Sequence, residues 1–253
     1  MIFDTHAHYD HESFDADREE LFENLPKKGV FAVINVSVDL NSSKKSIKYA
    51  EKYPYVYAGL GIHPQEIDEK TLEHDFLELQ GMFTHEKIRG VGEIGLDYHY
   101  NCENKVIQKR VFERQLEIAA KNNLPVMVHD RDAHEDMLEI LRKHRPKGVL
   151  HCFSGGPSMA EEVLSLGMKI GISGIITFKN AHILKEVVEK IPLEGMLLET
   201  DAPYLAPEPF RGKRCDSSLI KFTAEKIAEI KNISTRKVLE VTKKNAAEMF
   251  LKK

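Results

Sequence analysis

His6 and His8, one residue apart, are the first side chains in this sequence that could act together on one ion. In an extended chain alternate side chains face the same way, about 6.6 Å apart along the strand, so both imidazoles can point at a metal about 2.0–2.1 Å from each nitrogen. Taken alone, the pair could equally be strand-end residues bonded to loop carbonyls. Its company weighs against that. Glu93 hangs between glycines in Gly90-Val91-Gly92-Glu93-Ile94-Gly95-Leu96-Asp97, His129 ends Leu124-Pro125-Val126-Met127-Val128, His151 ends Gly148-Val149-Leu150, and Asp201 lies just past Met196-Leu197-Leu198. Singly, Glu93 would be a loop or cap acid, either later histidine a satisfied buried imidazole, and Asp201 a turn initiator. Together they describe one metal site. A carboxylate has two oxygens and can bridge two ions, which an imidazole cannot do, so bridging is assigned to Glu93. Asp201 is suited both to approach a metal and to accept a proton from water. Asp97 is read as an orienting partner for a ligand histidine or as a helix cap. Cys152 should face away from the direction of His151 and is read as packing, not ligand.

Residues so far apart in sequence need a fold that gathers them. Short apolar runs predict eight strands, over 1–5, 30–37, 55–60, 88–93, 125–129, 148–151, 169–172 and 196–199. Helical spacing fills the gaps, as in Phe112, Leu116, Ala119 and Ala120, or Met137, Leu138 and Leu141. Pro157 is placed for a first helical residue, Gly167 for a helix end, and Asn180 for the N-cap of a helix carrying Ile183, Leu184, Val187 and Val188. After the eighth strand an irregular stretch, 202–215, leads to two more helices, the second starting near Ser234. The acids and His11 within 10–17 read as a solvated helix entrance. Strict alternation points to a parallel (β/α)₈ TIM barrel, with a doubly wound open sheet as the alternative. The barrel is favoured because its active sites lie at the C-terminal ends of the strands, and closure brings strands one and eight together. No composition break divides the chain, so residues 1–253 are expected to form a single domain.

A chain of 253 residues suits one barrel of about 250 residues. No apolar run approaches the ~18 residues of a membrane span, and Met1-Ile2-Phe3-Asp4 lacks the regions of a signal peptide, so a cytoplasmic protein without membrane association is expected. Cys102, Cys152 and Cys215 are odd in number and far apart, which predicts reduced thiols rather than disulfides or a thiolate zinc knuckle. A net charge of −4 argues against a broad basic surface for coating nucleic acid. Two divalent ions held by neutral imidazoles and two carboxylates would reverse the sign locally, to roughly +2.

As a set, His6-Ala7-His8, Gly61-Ile62-His63-Pro64, Gly92-Glu93-Ile94-Gly95-Leu96-Asp97, Val128-His129-Asp130-Arg131, His151-Cys152-Phe153-Ser154-Gly155 and Glu199-Thr200-Asp201-Ala202-Pro203 resemble the TatD family of metal-dependent deoxyribonucleases. The resemblance spans essentially the whole chain. It implies an amidohydrolase-type barrel, a two-metal site and hydrolysis of phosphodiesters in DNA, often from the 3′ end of a single strand, with RNA as another candidate substrate. By that match His6, His8 and Asp201 serve one ion, His129 and His151 the other, and Glu93 bridges. The chain departs from the family pattern after Arg211-Gly212-Lys213-Arg214, where Cys215-Asp216-Ser217 replaces Asn-Glu-Pro. If that Asn touches substrate, substrate preference here is altered. Arg211, Lys213 and Arg214 are candidate phosphate contacts, as are His63 and Arg131.

The expected mechanism is metal-assisted hydrolysis, with Asp201 taking a proton from a water acidified by two ions. An imidazole-rich donor set suits zinc, manganese, iron, cobalt or nickel better than magnesium, which assays of the family often use. Two other readings remain: a small-molecule hydrolase on the same barrel, cleaving a lactone, cyclic amide or phosphotriester, and a non-catalytic metal-dependent binding protein. The cationic loop argues against the first and the complete ligand set against the second.

Overall fold

Runs of Val, Ile, Leu and Ala, buried on both faces, form the strands, as a parallel sheet covered by helices requires. The computed structural model describes residues 1–100 and 102–251, residue 102 by its backbone alone, so the thiol expected at Cys102 lies outside what is described. The strands are β1 (Ile2–Ala7), β2 (Val30–Val36), β3 (Val56–Leu60), β4 (Ile88–Asp97), β5 (Val126–Arg131), β6 (Gly148–Leu150), β7 (Lys169–Ile172) and β8 (Met196–Leu198). They lie side by side in sequence order, each parallel to the next. Helices α1 (Arg18–Asn24), α2 (Leu40–Lys52), α3 (Leu72–Met82), α4 (Lys105–Lys121), α5 (His134–His144), α6 (Pro157–Ser165), α7 (His182–Lys190) and α8 (Ile220–Lys231) each follow a strand, and α9 (Thr235–Phe250) comes last. This is the (β/α)₈ barrel.

Closure runs along the C-terminal ends of β1 and β8. Ala7 and Ala202 form a parallel bridge, the Asp201 N–H donates to the His6 carbonyl at 2.9 Å, and the His8 N–H donates to the Ala202 carbonyl at 2.7 Å. The first and last candidate motifs are thus hydrogen-bonded to each other. Inside the barrel Phe3, Ala32, Ile34, Val36, Met127, Val149 and Leu197 pack with Ala246 and Phe250 of α9. The larger apolar cluster joins the strands to the surrounding helices.

Several boundaries differ from those expected. β4 continues four residues beyond Glu93, so the Gly92–Asp97 motif is strand throughout. Its pairing with β5 shifts between Val91 and Ile94, and the Glu93 N–H donates to Ser37 at 2.7 Å; such an irregularity re-aims a side chain. His6 lies within β1 and His129 within β5, whereas β6 stops at Leu150 and β8 at Leu198. Pro157 opens α6, Gly167 follows its end at φ 87°, and the Ser234 side chain caps α9 through the Lys237 N–H. Asn180 does not cap α7: Ala181 holds that position and Asn180 is exposed. Ala120 is exposed too, because the buried face of α4 includes Gln108 and Gln115. Gln115 holds both the N–H and the carbonyl of Ile62, and Gln108 does the same for Asp97. A helix surface apolar by spacing therefore also clamps the backbone before His63 and after Glu93.

Gly95 shows how tightly β4 meets β5. It pairs with His129, adopts φ +146°, and a Cβ there would lie 2.0 Å from the His129 carbonyl oxygen. Gly95→Ala should therefore destabilise the protein by about 2–4 kcal/mol, measured by denaturant unfolding. A change within ~0.5 kcal/mol would show that β4 relaxes freely.

Candidate metal centre

The six predicted ligands converge at the C-terminal mouth, and Glu93 lies between them. Its Oε2 is 3.3 Å from His6 Nε2 and 3.5 Å from His8 Nε2. Its Oε1 is 2.9 Å from both His129 Nδ1 and His151 Nε2, and 3.6 Å from His63 Nε2. The two oxygens of one buried carboxylate thus face two sets of imidazoles. Asp201 Oδ1 lies 3.2 Å from His8 Nε2 and 3.9 Å from His6 Nε2. The donors form three overlapping groups able to hold an ion: His6, His8 and Asp201; His6, Glu93 and His151; His63, Glu93 and His129.

The partners on the far side of each ring decide which nitrogen is free. His8 Nδ1 is 2.8 Å from the Val36 carbonyl, so it carries the proton and Nε2 offers its lone pair. His129 Nε2 is 3.1 Å from Asp97 Oδ2, leaving Nδ1 free toward Glu93. Asp97 is itself held by Gln65 and by the N–H groups of His99 and Tyr100, which gives it the orienting role. His63 is the opposite case. Its Nδ1 accepts the Gln65 N–H at 3.2 Å, so the proton of the neutral ring sits on Nε2 and points into the centre. Burial brings His63 down to about 3, which keeps it neutral. That arrangement turns an N–H donor, not a lone pair, toward the centre.

Burial would raise the Glu93 carboxyl, but the facing His151, His63 and His6 rings outweigh it and hold the group well below its usual range. Burial likewise opposes the charged form of His8, yet the Asp201 hydrogen bond and the Glu93 and Asp201 charges push it up to about 9. In His6 burial, reinforced by His151, wins and lowers the value. His6 Nε2 and His8 Nε2 stand 3.1 Å apart, a separation compatible with one proton between them but not two. Several lone pairs facing one small volume, with a carboxylate on either side, fit divalent cations.

The remaining predicted residues are only partly gathered. Arg131 is exposed, with its guanidinium over Tyr100 at 4.9 Å. Arg211 lies over Phe178 at 4.2 Å and Lys213 over Phe210 at 5.8 Å. Arg214 is committed elsewhere: it donates to Ser13, makes a two-point ion pair with Asp17 and covers Phe14. That pairing removes it from the set of free cations, and it gives Asp17, expected on a solvated entrance, an anchoring role. Cys215 and Ser217 are buried, and Asp216 caps its own short turn through the Ser218 N–H. The departure from Asn-Glu-Pro therefore falls where the loop is anchored. Cys152 stays out of the ligand set, with Sγ 3.6 Å from Ser173 Oγ and burial pushing its thiol up to about 12. Glu199 was not singled out from the sequence. It is fully buried behind His151; it ends an apolar run and opens the Glu199-Thr200-Asp201-Ala202-Pro203 motif, but neither signal gave it a role.

A family model described as TatD related DNase matches residues 3–251. The chain belongs to the TatD family. It is 39% identical to the metal-dependent hydrolase YabD of Bacillus subtilis strain 168 over 99% of each chain. It is 34% identical to the metal-dependent hydrolase YcfH of Escherichia coli K12, covering 99% of this chain and 96% of that one. The crystal structure of YJJV, a TatD homolog from Escherichia coli K12, matches with a TM-score of 0.91 at 29% identity, covering 100% of this chain and 98% of that one. This TatD protein is thus a metal-dependent hydrolase, and the cluster around Glu93 is its candidate metal centre. No helix among the described residues is long and apolar enough to cross a membrane.

The protonation pattern gives a sign for metal binding. Because His8 is pushed up to about 9 and His151 is also raised, an ion entering near neutrality must displace protons from rings facing Glu93. Apparent affinity should rise with pH between about 6 and 9, by about tenfold per pH unit for each proton displaced. Titration against a chelator of known affinity reads this directly. A flat profile would mean that these rings do not exchange protons for metal.

Proposed function

We propose that this TatD protein hydrolyses phosphodiester bonds in single-stranded DNA, removing nucleotides stepwise from the 3′ end. The division of imidazoles between the two oxygens of Glu93 carries the reading, because it suits two adjacent ions sharing one carboxylate. In this proposal His6, His8 and Asp201 hold one ion, His129 and His151 the other, and Glu93 bridges. Divalent ions bound there supply Lewis acidity, which acidifies water and offsets charge on phosphate oxygens. The imidazole-rich set favours zinc, manganese, iron, cobalt or nickel over magnesium.

The chain's own groups do the rest. Asp201 keeps 18% of its side chain exposed at the lip of the site. Burial opposes its charge, but His8 outweighs burial and keeps the carboxylate ionised, ready to accept a proton from water. The neutral Nε2–H of His63 donates to a phosphate oxygen beside the ligands. Arg211 and Lys213, for which no carboxylate partner is found among the described residues, contact neighbouring phosphates, as does Arg131. Tyr204 and Tyr100 are the exposed tyrosines near the site, 50% and 67% accessible. Two rings offer stacking for a base or two, not a platform for a continuous strand. An end therefore fits better than a middle. One sheet joining all eight strands supports treating the chain as a single domain, and the free thiols of Cys152 and Cys215 suit the cytoplasm.

A linear single strand and a covalently closed circle of the same sequence separate exonuclease from endonuclease. The linear strand should shorten from its 3′ end while the circle persists under the most activating metal. Equal loss of both would overturn the end requirement, and turnover only of lactones or phosphotriesters would overturn the nucleic-acid reading. Neutralising Arg211 and Lys213 together should weaken single-strand binding and reduce its salt slope by about 1.4, since each phosphate contact contributes about 0.7. An unchanged slope would remove the loop from the binding surface.

A further inference from the structure

Glu199 is fully buried, yet the centre described above gives it no task. Its Oε1 accepts the backbone N–H of Cys152, and its Oε2 has no hydrogen-bond partner among the described residues. His151 Nδ1 is also buried without a partner among the described residues, and it lies 3.6 Å from Glu199 Oε1, just beyond hydrogen-bond length. A buried ring nitrogen without a partner beside a buried carboxylate that has only one backbone N–H to accept makes a matched pair, because polar atoms left unpaired in the interior are costly. The sheet makes room for the acid: a Cβ on Gly171 would fall 2.2 Å from Glu199 Oε2. Capping the Cys152 N–H does not explain a carboxylate, since the carbonyl of a glutamine would accept that bond equally well.

We propose that Glu199 is a positioning residue for His151. It accepts the Nδ1–H of that ring, fixes Nε2 as the free lone pair facing Glu93, and raises the basicity of this ligand. The inference rests on His151 holding an ion, as in the proposed function. His129 is already backed by Asp97, so both rings on one side of the centre have carboxylates behind them. On the other side His8 is backed by the Val36 carbonyl, and His6 Nδ1 has no partner among the described residues. The two halves of the centre are thus unequal: Glu199 strengthens the His129–His151 half alone, which is the tighter of the two.

The test compares wild type, Glu199→Gln and His151→Ala by chelator-competition titration with zinc and with manganese. Histidine ¹⁵N spectra of the metal-free proteins are recorded alongside, at a pH high enough to leave the His151 ring neutral. Glu199→Gln should weaken one class of ion by about 10–100-fold, leave the other class unchanged, and move His151 from a single Nδ1–H tautomer to a mixture. His151→Ala should abolish the same class. If His151→Ala removes that class while Glu199→Gln changes neither affinity nor tautomer, the role of Glu199 is overturned and the ligand assignment stands. Equal weakening of both classes would make Glu199 merely structural and also overturn the proposal. If His151→Ala leaves both affinities intact, the ligand assignment falls and this inference falls with it.

Discussion

A single carboxylate buried among imidazoles is the constraint on which the rest of this structure depends. Glu93 has almost no access to water, so its charge is tolerable only because His6, His8, His63, His129 and His151 surround it. Those rings come from the ends of β1, β5 and β6 and from the loop after β3. No local segment could supply them, and an open sheet would leave β1 far from β6. The closed barrel satisfies the condition because every strand delivers its C-terminal end to the same mouth. The irregular pairing of β4 and the close approach of Gly95 to β5 are local consequences of aiming one acid at that point.

Much of this was legible because parallel strands buried on both faces leave a strong mark. An apolar run stopped by His129, His151 or Asp201 announces a strand end with a polar task, and eight such runs in alternation with helices announce the barrel. The extent of β4 was not legible, since glycines on either side of an acid read as loop when they in fact allow close packing in a strand. Arg214 and Asp17 misled for another reason. Nearly 200 positions apart in sequence, they pair only because β1 and β8 are neighbours, so a cation that looked free is bound. Glu199 and Gln115 escaped because their value lies in what stands behind them in space. A buried polar side chain on an apolar face gives no periodic signal.

His63 shows how one hydrogen bond separates two chemistries that share a residue type. Its position beside Glu93 and His129 would admit it to a ligand set on distance alone. The Gln65 N–H at Nδ1 argues otherwise, by leaving the proton on the nitrogen that faces the centre. His129 meets the same carboxylate with the opposite arrangement, its proton turned outward to Asp97. Gln65 donates to that same Asp97, so one side chain and its own backbone take part in setting both tautomers. Which ring turns a donor toward Glu93 and which a lone pair is therefore written in the loop after β3, not in the histidines themselves.

The barrel seam shows how a departure from the family pattern is absorbed. Ser217 stands where the pattern has proline, and its hydroxyl donates to Asp4 Oδ2 at 2.7 Å. With that proton spent on Asp4, the Tyr9 hydroxyl must donate to Ser217 Oγ, while the Ser217 N–H donates back to Tyr9. A proline could supply neither the hydroxyl nor the N–H. Asp4 also accepts from Thr200 and from the His6 N–H, and burial still pushes its carboxyl up to about 7 against all these donors. Every partner in this network lies on or just past β1, just past β8, or in the loop that leads to α8. Tyr9 and Ser217 thus tie that loop to β1 and the residues that follow it, so position 217 reaches the candidate metal centre through Asp4. The loop's free cations, Arg211 and Lys213, are carried on a segment whose far end is fixed to the ligand strand itself.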